Sequence, residues 1–131
     1  MWTFRNFVAL GLFLFGTTFL WMTAAMAGRT PPPTGIAWTL TNVLAYVAIV
    51  GFTIAAWAVF RQYSWWETAA VLSGIVGLVA VVPFIVGQSQ LEVGFGDLGV
   101  QINLGMHILG SAAVVAMVLL PAAHDWVTQR L

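Results

Sequence analysis

Residues 36–60 read IAWTLTNVLAYVAIVGFTIAAWAVF, and no charged side chain interrupts them. The stretch exceeds the roughly 20 residues that a helix needs to cross a hydrocarbon core. A crossing segment must satisfy its own backbone polar groups, so it is a helix or part of a closed barrel. The run lacks the period-2 alternation of barrel strands, and a helix remains. Similar runs lie on either side. The four expected spans are about 6–27, 36–60, 65–86 and 100–123. Arg29 follows the first and Arg61 the second. The chain therefore reads as an all-α integral membrane protein, a four-transmembrane-helix bundle forming a single membrane domain over residues 1–131.

Composition supports this. The chain of 131 residues is 61% hydrophobic and 6% charged, where soluble domains average about 25% charged. Four Arg balance four acids, and Lys is absent. A neutral chain without a basic cluster has no electrostatic footprint for nucleic acid. With no Cys, it offers no disulfide, thiolate nucleophile or zinc–thiolate site.

The connections are readable too. Three consecutive prolines, Pro31 to Pro33, cannot continue a helix. Gln62 and Tyr63 leave room only for a tight hairpin. Arg5, Arg61 and Arg130 fall on one side and Arg29 on the other, which places both termini in the cytoplasm and the chain in the cell membrane as a multi-pass protein. Trp2, Trp57, Trp65, Trp66 and Trp126 gather near the same side, as an interfacial belt does. Ala25-Met26-Ala27 before Gly28 also resembles a signal-peptide cleavage site, which would leave three spans.

Ser64-Trp65-Trp66-Glu67 has the spacing of a capping box opening the third helix. The second span carries Asn42 and Tyr46 on one face. The fourth carries Asn103, His107 and Ser111, again on one face, at similar depth. Polar side chains in a span turn from lipid toward protein or water. The two faces are therefore expected to converge as one polar cluster. Such groups usually bond across helices, contributing on the order of 0.6–2 kcal/mol each.

His107 is the only histidine within a span, and is the candidate cofactor-binding residue. His107-Ile108-Leu109-Gly110 resembles the haem-bearing helices of membrane b-type cytochromes, where a small neighbour makes room for the porphyrin. That resemblance would imply haem b; a quinone or proton contact at His107 is a separate expectation for an intramembrane histidine. The chain departs from the pattern in having no second intramembrane histidine. His124 lies about 25 Å further along a helix axis.

No catalytic or metal constellation stands out. Paired intramembrane carboxylates are missing, and so is any His/Asp/Glu cluster with ligand spacing. Small residues mark packing faces instead: Gly74 and Gly77 on the third helix, and Gly105, Ala112 and Ala116 on the fourth, opposite His107. The leading functional expectation is non-catalytic, an accessory or assembly subunit of a membrane complex or a homo-oligomer. The alternatives are a haem- or quinone-contacting subunit using His107, and a narrow uncharged permeation or lipid-binding path.

Overall fold

The computed structural model of the chain is all-helical. Four of its helices are long and apolar enough to cross a membrane. α1 (Phe4–Thr18) passes into a short 3₁₀ segment (Phe19–Met22). After an extended residue, Thr23, a second 3₁₀ turn follows (Ala24–Met26). α2 (Ile36–Phe60), α3 (Trp66–Ser89), α4 (Leu98–Leu119) and a short α5 (Pro121–Thr128) complete the chain. The bundle is apolar outside. Leu14, Val50, Ile54, Leu72, Val82 and Leu109 all lie exposed on its surface. That distribution suits lipid as the surrounding solvent, because outward apolar side chains cost nothing there.

The second span matches the sequence reading at both ends. The first does not. A continuous helix was expected over 6–27, and the α-helix stops at Thr18. The reason lies in three threonines. Thr17, Thr18 and Thr23 each turn a hydroxyl back onto the carbonyl three residues earlier, at 2.6–2.7 Å. These local bonds compete with the helical ladder and favour the tighter 3₁₀ winding.

The fourth span is likewise shorter than 100–123. Leu120 is extended, with φ −86° and ψ 118°, and Pro121 opens a new helix. A residue before proline is pushed toward extended geometry, and proline suits the first turn of a helix. The third span runs a turn beyond its expected end, through Pro83 to Ser89.

Close approach holds the centre together. Gly77 faces the Ser111 hydroxyl and the Phe19 ring so tightly that a Cβ there would collide with both. Gly16 meets Phe52 in the same way, and Gly87 meets the Trp38 ring. At the end away from the termini, the buried Gln88 amide donates to the Gly94 carbonyl at 2.6 Å. Gln101 donates to the Phe95 carbonyl. The polar 89–97 connection is thus tied back onto α3 and α4.

At the other end, α5 folds back against the bundle. Val127 is buried, and the Trp126 ring meets Phe4 edge-on at 5.5 Å. Nε2 of His124 lies 2.9 Å from the Glu67 carboxylate. This revises the capping-box reading. Trp65, not Ser64, occupies the cap position of α3, and no side chain caps the helix. Glu67 is drawn to His124 instead.

The His124 pKa is raised above its ordinary value, first by the hydrogen bond to Glu67 and then by that to Asp125. A raised folded-state value means that the docked helix prefers the charged imidazole. The stabilisation is fully present below about pH 6.5, the unperturbed histidine value, and is lost as pH rises through the raised one. Amide protection along α5, relative to α2, should therefore fall as pH is taken from about 6 to about 8.5. Glu67→Gln should flatten that profile. Unchanged protection in the wild-type chain would mean that the pair contributes nothing to docking.

Candidate functional site

The polar residues singled out in α2 and α4 do not meet each other. Asn42, Asn103 and His107 meet the broken end of the first span instead. Asn42 accepts the Ala24 backbone N–H at 2.9 Å through Oδ1. Asn103 donates through Nδ2 to the Trp21 carbonyl, also at 2.9 Å. Nε2 of His107 lies 3.2 Å from the Thr18 hydroxyl. The break thus lies between the two polar faces and binds both.

His107 is fully buried. Its Nδ1 stands 2.7 Å from the Asn103 carbonyl. A carbonyl only accepts, so Nδ1 carries the hydrogen. In the neutral ring Nε2 is then the acceptor. The Thr18 hydroxyl faces two acceptors, Nε2 and the Phe15 carbonyl at 2.6 Å. The Phe19 ring packs edge-on against the imidazole at 4.4 Å, and Phe15 tilts beside it at 6.1 Å.

Ser111 lies one turn further along α4, fully buried, and its hydroxyl has no partner. It serves as a small contact against Gly77. Tyr46 departs from the expected cluster altogether: it is 52% exposed on the outside of α2. Thr39 and Thr53, also on α2, bond to carbonyls of their own helix and look outward. Thr18 went unremarked in the sequence as a partner for His107. The signal was the Thr17-Thr18 pair near the end of a span, where hydroxyls loosen a helix.

The geometry also bears on haem and quinone. Gly110 was the small neighbour that a porphyrin would need. The Phe15 ring occupies that space, so closely that no Cβ would fit. Nε2, the atom that would ligate iron, is turned to Thr18. The residues around His107 do not fit a porphyrin. A neighbouring cavity reaches Asn103 and Met106 but is not lined by His107. The imidazole is a packing and hydrogen-bonding element that joins α4 to the end of α1.

No family model, curated protein or solved structure matches this chain.

Thr18→Val should strand the buried Nε2 and cost about 1–3 kcal/mol in unfolding from detergent micelles. Thr18→Ser keeps the hydroxyl and should stay near the wild type. If Val is as stable as Ser at this position, the bond to His107 carries no weight.

Proposed function

We propose that the protein is a non-catalytic subunit of the cell membrane that works through helix contacts, with α4 as its docking helix. One observation carries this reading. Only His107 and Ser111 of α4 are buried within the bundle. The opposite face presents Gly105, Leu109 and Ala112. Leu109 is 72% exposed, and a Cβ added at Gly105 would meet nothing. Outward apolar residues alone suit lipid. Small residues among them let another helix approach closely, and dispersion then favours helix over lipid.

The polar groups inside the bundle support the same reading. Asn42, Asn103 and His107 all bond to the first span, so they secure the bundle rather than line a reaction centre. No group of three His, Asp or Glu side chains is arranged to hold a metal ion. The docking partner is either a second copy of this chain or another membrane subunit.

In mild detergent the chain should run as a complex larger than one copy. Gly105→Leu combined with Ala112→Leu should release single chains while helicity stays unchanged, because overpacking a close contact costs about 1–3 kcal/mol. A wild-type chain that purifies alone and as a single copy overturns the reading.

The proposed orientation places both termini in the cytoplasm, supported by three arginines at that end against Arg29 at the other. A topology reporter fused after Leu131 should read cytoplasmic, and one inserted in 89–97 should read the opposite side. The reverse pattern overturns the orientation.

A further inference from the structure

We propose that the cavity at the loop end of the bundle binds the headgroup of a phospholipid bearing a hydrogen-bond donor beside its phosphate. The cavity measures about 510 Å³ and lies where the broken end of the first span, the end of α3 and the start of α4 come together. Its wall has two characters. Trp21, Phe84, Ile102 and Met106 are apolar, and Arg29, Asp97 and Asn103 are polar.

Arg29 is the key residue. The residue is half-buried, its side chain makes no hydrogen bond or ion pair, and its Nη2 is sealed from solvent without a partner. A guanidinium presents five donors and is always charged. Leaving it unpaired beside an apolar wall is costly, and an anion is the natural remedy. Asp97 shares the cavity, but no ion pair joins the two. One Asp97 oxygen caps α4 by accepting from the Gly99 and Val100 amides, and the other is unbonded. The Asn103 amide nitrogen is committed to Trp21, while its oxygen has no donor.

Arg29 and the free Asp97 oxygen thus put one cation and one vacant acceptor on a single cavity, while the Asn103 oxygen is sealed from it. The complementary occupant carries an anion and a donor close together. Phosphoglycerol, with its hydroxyls, and phosphoethanolamine, with its ammonium, both meet that demand. Phosphocholine supplies the phosphate but has no donor.

The lipid source follows from where the cavity lies. Trp21 and Ile102 line it and are also more than half exposed on the bundle surface that faces lipid. An acyl chain leaving the cavity between them passes directly into the bilayer. Trp21 is also the kind of residue that settles at headgroup level.

Native mass spectrometry of the full chain in detergent tests this with phosphatidylglycerol, phosphatidylethanolamine and phosphatidylcholine of identical acyl chains. The first two should bind one-to-one about tenfold more tightly than the third, the scale of a hydrogen bond to a charged group. Arg29→Gln should weaken both by about tenfold, and Arg29→Lys should recover part of the loss. Arg61→Gln, at the opposite end, should change nothing. Glycerol phosphate at the same concentration should fail to compete, since it lacks the chain. Equal binding of all three lipids, indifference to Arg29→Gln, or displacement by glycerol phosphate each overturns the proposal. None of these readouts depends on whether α4 docks a partner.

Discussion

A backbone polar group inside a bilayer has no water to fall back on. Wherever a spanning helix breaks, its freed N–H and C=O groups must find partners within the protein. The first span of this chain breaks at Thr18, and the arrangement of the other helices answers that break. α2 supplies Asn42 for an orphaned amide, and α4 supplies Asn103 for a carbonyl. His107 sets Nε2 beside the Thr18 hydroxyl, whose one hydrogen is shared with the Phe15 carbonyl. The three polar side chains that looked in the sequence like a potential site are mainly the means by which one imperfect helix is tolerated.

The two ends of the bundle solve different problems. At the terminal end, α5 covers the start of α1 through Trp126 and Val127 and is pinned to α3 by the His124–Glu67 pair. At the other end, Gln88 and Gln101 gather a polar loop, yet a cavity remains between it and the broken helix. The difference reflects what each end has available. An amphipathic helix can fill a gap with aromatic rings, whereas a short loop rich in glycine cannot.

The number of spans and the whole course of α2 were legible, because long uncharged runs admit one interpretation in lipid. Boundaries were lost where a local bond competes with the helix. Thr17, Thr18 and Thr23 shortened α1, and Pro121 divided the last span, a reading that proline chemistry alone could have supplied. The polar faces do not close on each other as expected. Asn42, Asn103 and His107 do approach one region, but helical phase does not reveal that a third helix lies between them. Tyr46 shows the limit of phase arguments. It sits 40° around the ideal helix wheel from Asn42, which is enough to turn it outward. Glu67 was misassigned because Ser64 and Glu67 have capping spacing, and the competing partner lies 57 residues away in sequence.

The partners of the broken segment also have an order in time. Asn42 follows Ala24 by only 18 residues, so that bond belongs to the first hairpin. Asn103 and His107 follow Trp21 and Thr18 by 82 and 89 residues. During synthesis the first helix is therefore made long before its remaining partners exist. Until α4 is in place, the Trp21 carbonyl lacks this donor. α4 thus completes the first span.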